Sequence, residues 1–512
     1  MTNTFMNAMT GAYNYKRTEN GAVAHKTTNS AVYDMFALGA AYRKRSDEDC
    51  ILLFKNAFEE DKTLALKCLF YIRDCRGGQG ERRFFRVCMK WLAENYPAVA
   101  NRLVKHMPEY GRYDDWFALF GTPVEGTILA LMKEQLKVDM TCKKSAVSLL
   151  AKWMPSENAS SKETVRLARK IRNYFGISAK EYRQMLSGLR AKINVLERLM
   201  SANRWDEIEF DKIPSKAGLV YKNAFARRDI IARKYERFAK DKTTKVNATT
   251  LYPYEVVAKA IEGGIGWSSY NFRSMTDVDR AMVNKYWENL PDYLNGAPCS
   301  MMCVVDTSGS MVDKGNAAAP LNVAISLGMY CAERAGGPFK DHYISFSRDP
   351  RLVHVEGIDF VDKARRIYSA NLCENTDLPK VFDMLLDIAR RPGVKATDIP
   401  KTIVVISDME IDQGSGRGYW GYNHYSHDYW TQETAATEME NIRKKWAAYG
   451  LELPRLVYWN VDARNSTILD SGPNVTFVSG MSPVIFQQVL TGKTGYDLMI
   501  DAICSKRYEV IK

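Results

Sequence analysis

The sequence predicts an α + α/β protein, in which an N-terminal α-solenoid of helix pairs is followed by a doubly wound α/β domain. Between about residues 30 and 245, apolar residues recur at three- and four-residue spacing between short polar breaks, the pattern of helix after helix. After about residue 298, short β-rich runs alternate with helical patterns, as in a mostly parallel sheet covered on both faces, with its ligand site at the carboxyl ends of the strands. The 512 residues, 46% hydrophobic and 26% charged, supply several cores, which excludes a disordered or fibrous chain.

Taken in order, residues 1–29 precede the helical pattern and are expected to be a flexible lead-in, 30–297 form the helical domain, and 298–512 the α/β domain. Asp47 to Tyr71 reads as two helices broken near Asp61, and Glu81 to Asn95 as another that stops before Pro97. Arg76 to Gly80 is a tight helix-to-helix turn. Ser178 to Glu181 is a capping box opening a long helix, on which Tyr182, Leu186, Leu189, Ile193, Leu196 and Met200 form one stripe. The solenoid rests on this run of helices, since no exact repeat is present. Strands are predicted at Met301 to Val305, His342 to Phe346, Thr402 to Ile406 and Leu456 to Asn460, with helices at 318–334, 376–391, 431–448 and 482–490. The domain boundary falls in the turn-rich stretch Pro291 to Pro298, and 241–298 fits neither pattern well.

Charge divides along the chain. The formal net charge of +12 separates into +15 for residues 1–300 and −3 for 301–512, and residues 151–250 alone carry +12. Such a concentration either meets a polyanion, nucleic acid first among them, or forms solvated basic faces on ordinary helices. No stretch approaches the roughly 18 apolar residues of a membrane span, and the first residues lack a signal peptide's apolar core, so a cytoplasmic protein with no membrane partner is expected. Ten cysteines are scattered without a Cys-x-x-Cys pair, which supports neither a zinc module nor a disulfide framework.

The sharpest local signal is Asp306-Thr-Ser308-Gly-Ser310, directly after the strand ending at Val305. A carboxylate and two hydroxyls at alternate positions on a turn can converge on one small hard cation, because Mg2+ takes oxygen ligands in an octahedron. This pattern resembles the metal-ion-dependent adhesion site of von Willebrand factor A domains. The resemblance implies hydroxyl ligands from Ser308, Ser310 and Thr376, and direct or water-mediated binding by Asp306 and Asp408, to Mg2+ or a similar ion such as Mn2+. It also implies an open sixth position that an acidic protein partner can fill, so the site binds and does not catalyse. Asn375, before Thr376, stands where many A domains have glycine.

A helical half followed by an A domain resembles the Ro autoantigen family, whose HEAT-like helical ring, the TROVE module, is closed by such a domain. It resembles more closely a family of uncharacterised proteins of the same architecture, through Tyr71 to Arg83, Pro108 to Arg112, Lys152 to Ser156, Ser178 to Arg190 and Ile213 to Ser215. The Ro resemblance implies a ribonucleoprotein component or RNA-quality factor, with structured RNA on a basic outer face and single-stranded ends in the hole of a ring. Suitable residues are Arg166, Arg169, Lys170 and Arg172, off the stripe Thr164, Ala168, Ile171 and Phe175. Lys180, Arg183, Arg190 and Lys192 lie largely off the next stripe. Arg227, Arg228, Arg233, Lys234 and Arg237 lie beside packing positions Phe225, Ile230 and Tyr235.

Two other readings stay open. One is a protein-interaction scaffold that captures an acidic side chain at the metal site without RNA. The other is a Mg2+-dependent nuclease, for which Glu410 and Asp412 are the only further carboxylates nearby. No Ser/His/Asp or Cys/His nucleophile arrangement can be assembled, and a non-enzymatic protein is expected. The glycine-rich run Gly414 to Trp430 holds six aromatic residues, which either offer stacking surfaces beside the ion or seal the domain junction. His424 and His427 in it are read as polar loop residues.

Overall fold

The computed structural model describes residues 14–512 apart from 20, 144–145, 194, 263–271, 298, 314–315, 347–349, 371–376, 412–437 and 471. Thr376 and the aromatic run 414–430 therefore lie outside the described residues. The chain divides into two compact units. A sheet unit comprises Met1–Ile72, Gly77–Glu81 and Thr249–Lys512, and a helical unit comprises Arg73–Arg76 and Arg82–Ala248. Among the described residues no helix is long and apolar enough to cross a membrane.

The expected fold class is met in outline, with a helical N-terminal region and a C-terminal, mostly parallel sheet. The N-terminal hairpin consists of β1 (Tyr15–Arg17) and β2 (Val23–His25). The main sheet holds β3 (Met301–Asp306), β4 (His342–Phe346), β5 (Arg351–His354), β6 (Thr402–Ser407), β7 (Arg455–Asn460) and β8 (Val475–Ser479). Its order is β5-β4-β3-β6-β7-β8, parallel throughout except where β5 pairs antiparallel with β4. The strands β3 and β6 are buried at every residue, which is why they read as unbroken apolar runs without alternation. The chain leaves β3 toward β4 on one side and returns to β6 on the other. The direction of winding thus reverses between β3 and β6, where open α/β sheets hold their ligands.

The helix Pro320–Arg334 crosses from β3 to β4 and is buried at every position from Pro320 to Ala332. Gly328 is the point of closest approach, since a Cβ there would lie 2.6 Å from Val305 Cγ2. Two strands, β5 and β8, and the helix Phe360–Ser369 were not expected from the pattern. Where a flexible lead-in is expected, the chain from Asn14 onward forms the β1–β2 hairpin, and His25 exchanges backbone hydrogen bonds with Ile468. The helix Ala31–Leu38 packs on β8, where the Phe477 N–H donates to Tyr33 Oη at 2.8 Å and Ser479 Oγ donates to the Phe36 carbonyl at 3.1 Å. The stretch 241–298, hard to place from sequence apart from a helix expected near 277–290, supplies Pro253–Ala260 and Asp277–Glu288 to the same unit. Trp287 stacks on Phe360 at 4.1 Å, and Arg280 makes a forked ion pair with Asp359. The change from helices to alternation near residue 298 is a change of secondary structure, whereas the compact units divide the chain elsewhere.

The helical unit begins on a buried ion cluster. Asp115 is fully buried and accepts from Arg73 Nε and Nη2 at 2.9 and 2.7 Å, from Arg86 Nε at 2.7 Å and from the Arg112 N–H at 2.9 Å. Gly111 admits this approach, because a Cβ there would sit 2.3 Å from Asp115 Oδ2. Beyond it run the helices Glu125–Thr141, Lys162–Phe175, Ala179–Lys192, Leu196–Ser201, Ser215–Arg227 and Asp229–Lys240. The capping box forms as read, with the Glu181 N–H on Ser178 Oγ at 3.2 Å and the Ser178 N–H on Glu181 Oε2 at 2.7 Å. The helix it opens is shorter than expected and stops at Lys192, so Leu196 and Met200 belong to a separate helix. Ile230, expected to pack, is 64% exposed, and its neighbour Ile231 is buried in its place.

Asp115→Asn preserves the shape of the cluster and removes the anion that, among the described residues, pairs with Arg73, itself 3% exposed. Stranding that guanidinium should cost about 3–5 kcal/mol. Urea denaturation followed by circular dichroism should show this loss, while the exposed control Glu134→Gln should stay within about 0.5 kcal/mol of the parent.

Candidate functional site

At the carboxyl end of β3 the Asp306 carboxylate, fully buried, is held from two directions. Its Oδ2 accepts from Ser407 Oγ at 2.6 Å, and its Oδ1 accepts from the Ser308 N–H at 2.9 Å. Ser407 is the last residue of β6, so the first bond crosses the winding reversal, and the second folds the turn that follows β3. In that turn Ser308 Oγ and Ser310 Oγ lie 3.0 Å apart, and the Thr307 N–H donates to the Phe346 carbonyl of β4 at 3.2 Å. Asp408, 1% exposed, follows Ser407 and accepts from the Glu410 N–H at 3.2 Å. Between them Met409 adopts φ +66°, a left-handed conformation that costs a side-chain-bearing residue energy, and its N–H donates to Ser407 Oγ at 2.9 Å.

Two carboxylates thus sit together out of water. Burial first, and the Asp408 charge second, push the Asp306 carboxyl up to about 7. Asp408 is neutralised by Arg464, whose guanidinium also donates to the Ser310 carbonyl at 3.3 Å and pairs with Glu19 at 3.3 Å. Burial raises the Glu410 pKa above the ordinary carboxylate range. Its oxygens accept from the Glu19 N–H at 2.7 Å and from Thr467 Oγ1 at 3.3 Å. The Glu410 carboxylate that a nuclease would require is thus bonded to Glu19 in the turn between β1 and β2, and Asp412 lies outside the described residues.

Asp306, Ser308, Ser310 and Asp408 are brought together; Thr376 is outside the described residues. Among the described residues no group of three or more His, Cys, Asp and Glu side chains could hold a metal. The donor set here is instead two carboxylates with two hydroxyls, all hard oxygens of the kind a small divalent ion takes while keeping some of its water. Sequence reasoning missed Ser407, Arg464 and Glu19. Ser407 adjoins a named ligand and was within reach, whereas Arg464 and Glu19 belong to no local motif.

The helical unit carries 36 Lys and Arg against 19 Asp and Glu, net +17, while the sheet unit carries 36 against 41, net −5. The structure separates charge more sharply than the sequence halves do. Arg166, Arg169, Lys180, Arg183, Arg227, Arg233 and Arg237 are exposed, with no ion pair among the described residues, and Arg228 lies over the Trp205 ring at 4.8 Å. Other named residues are committed elsewhere. Lys170 pairs with Glu125 at 2.6 Å and Arg172 with Glu157 at 3.3 Å. Lys192 donates to the carbonyls of Asp139 and Met140, and Lys234 to those of Asp206 and Ile208. Arg190 donates to the carbonyls of Ala151 and Met154 and to Ser156 Oγ, at 2.9, 2.8 and 3.0 Å.

Comparison with known proteins gives the following. An uncharacterized protein of Acanthamoeba polyphaga mimivirus is 28% identical over 523 aligned residues, covering 94% of this chain and 85% of its own length. The crystal structure of the Deinococcus radiodurans Ro (RSR) protein shares 14% identity, covers 93% of this chain and 99% of its own, and has a TM-score of 0.45. A model described as Domain of unknown function (DUF7788) matches residues 300–504, and one described as Domain of unknown function (DUF2828) matches 18–109 and 126–297. The second match takes in more than half of the chain, which therefore belongs to the DUF2828 family.

Proposed function

We propose that this protein binds RNA in the cytoplasm through the basic faces of its helical unit, as a non-catalytic ribonucleoprotein component or RNA-quality factor. The observation that carries the reading is the set of exposed cations, with no ion pair among the described residues, on a unit of net +17. A phosphate backbone supplies opposite charge to such a set. The resemblance of the helical half to the Ro family, with a solenoid of HEAT-like pairs and a von Willebrand A-type domain, supports the same reading.

The second part of the proposal is a divalent cation, Mg2+ or Mn2+, held by Asp306, Ser308, Ser310 and Asp408 with Thr376. Bound there, the ion would act as a Lewis acid toward a partner's carboxylate at an open coordination position. Asp306 is oriented by Ser407, and the two serine hydroxyls are already adjacent. Arg464 opposes the ion, because its guanidinium occupies Asp408.

Anisotropy titrations with a labelled single-stranded RNA should show affinity falling steeply with salt. The Arg166→Glu, Arg169→Glu, Arg233→Glu, Arg237→Glu variant should weaken binding by about tenfold or more. Asp306→Ala should leave RNA affinity unchanged. Nucleic-acid-free protein that instead captures a partner lost on chelation would favour the scaffold, and metal-dependent shortening of the RNA would favour the nuclease.

Mg2+ titration calorimetry should show a site lost in Asp306→Ala and tightened in Arg464→Gln. In cation-free protein Asp306 binds its proton more tightly folded than unfolded. Stability should therefore fall as pH rises from about 4 to about 7. Thermal melts of Asp306→Asn across that range should be flatter than those of the parent.

A further inference from the structure

Within the helical unit, Lys152 to Asn158 and the helices Ala179–Lys192 and Leu196–Ser201 enclose an open pocket of about 590 Å3, within the range of small-ligand sites. Lys152, Arg183 and Arg198 line it, with no ion pair among the described residues. Of its two carboxylates, Glu157 pairs with Arg172 at 3.3 Å, while Glu197 accepts from Tyr221 Oη at 3.4 Å and keeps its charge, against the four cations of the wall. Arg190, also in the wall, is the decisive member. Its guanidinium is half-buried and, among the described residues, bonded to two carbonyls and a hydroxyl with no ion pair, so it is held in place without being neutralised. A half-buried cation without an anion is unfavourable, and a phosphate in the pocket would relieve it.

The other lining groups match the rest of a nucleotide. The half-buried Val195, backed by the buried Leu186, offers an apolar surface to a base, and the exposed Ser187, Ser201 and Asn158 offer hydroxyls and an amide to sugar and base edges. We propose that this pocket takes one unpaired nucleotide of an RNA strand together with its flanking phosphates. The inference rests on the RNA reading above and adds to it a preference for unpaired over duplex RNA, because a concave pocket admits only a base that has left its stack. Arg166 and Arg169 do not line the pocket and would serve both kinds of RNA.

The test uses the full chain, a labelled single-stranded decamer and a blunt duplex of equal length. Ser187→Trp fills the pocket from an exposed helix position without changing charge, and Arg183→Glu with Arg198→Glu reverses its field. Both variants should lose about tenfold in affinity for the single strand and less than about threefold for the duplex. Arg166→Glu with Arg169→Glu should weaken both RNAs alike. Photocrosslinking of a 4-thiouridine decamer should fall on the peptides holding Ser187 and Arg198. Ser187→Trp binding the single strand as the parent does, or crosslinks confined to other helices, would overturn the pocket and leave the RNA reading intact. A parent protein that binds neither RNA would overturn both, and one that binds adenosine monophosphate as tightly as the decamer would overturn the assignment to an RNA strand.

Discussion

The candidate cation site depends on one pairing, that of β3 with β6. With Val305 opposite Ile406, the next residues Asp306 and Ser407 come level at the carboxyl end of the sheet, and the 2.6 Å bond between their side chains becomes possible. A slip of one residue would turn every side chain of the strand to the other face and separate them. That register is itself enforced by burial on both faces of two central strands. Once Asp306 is fixed, its free oxygen draws in the Ser308 N–H, and the turn brings the two hydroxyls together. The rigid sheet, more than the loops it carries, sets this geometry, which is the usual condition for a binding site to be held ready.

The arrangement concentrates negative charge where solvent cannot disperse it, and the protein answers with Arg464. That side chain comes from the segment after β7 and serves two carboxylates at once, Asp408 in the site and Glu19 in the turn of the hairpin. Asn465 Nδ2 also donates to Glu19 at 3.1 Å, and Glu410 receives the Glu19 N–H. A change of charge at Asp408 is therefore felt at the hairpin, because one guanidinium is shared between them. A close pair with a buried partner, such as Arg464 with Asp408, is weakly screened by salt, whereas exposed cations facing a polyanion interact over about a Debye length and are strongly screened. The two candidate sites accordingly obey different electrostatics: ion against hard oxygen in the sheet unit, and field against polyanion in the helical one.

How much of this was legible depended on whether the signal was local. The Asp306 motif, the strands before and after it, the break at Asp61 and the Ser178 capping box each rest on a few adjacent residues, and the sequence reading found them. Partners from distant segments carry no such mark, so Arg464 and Glu19 went unseen. So did the hairpin they tie down, whose strands have only three residues each. Amphipathic periodicity reports that a helix has a buried face and leaves open what covers it. The helix at 31–38 thus reads with the helical run, and those at 253–260 and 277–288 are hard to place, although all three pack in the unit built on the sheet. The same limit explains Ile230: an apolar residue at the start of a helix adjoins Ile231, and only the packed structure decides which of two neighbours turns inward.

The basic residues teach the complementary lesson, since charge counted along a sequence does not distinguish a cation held by the fold from one held out to solvent. Lys192 and Lys234 spend their donors on carbonyls of the chain, a use of lysine that stabilises backbone ends and leaves little for a ligand. Arg166 and Arg169, on the exposed face of a helix whose buried face is Ala168, Ile171 and Phe175, are constrained by nothing comparable. Arg190 stands between these cases. Its donors are spent, yet every acceptor is neutral, so its hydrogen-bonding capacity is used while its charge is not. Hydrogen bonds fix where a guanidinium points, and only an anion cancels its field. A positive charge immobilised in a wall, beside the further cations Lys152, Arg183 and Arg198, is the preorganised arrangement in which an incoming phosphate need reorder the least.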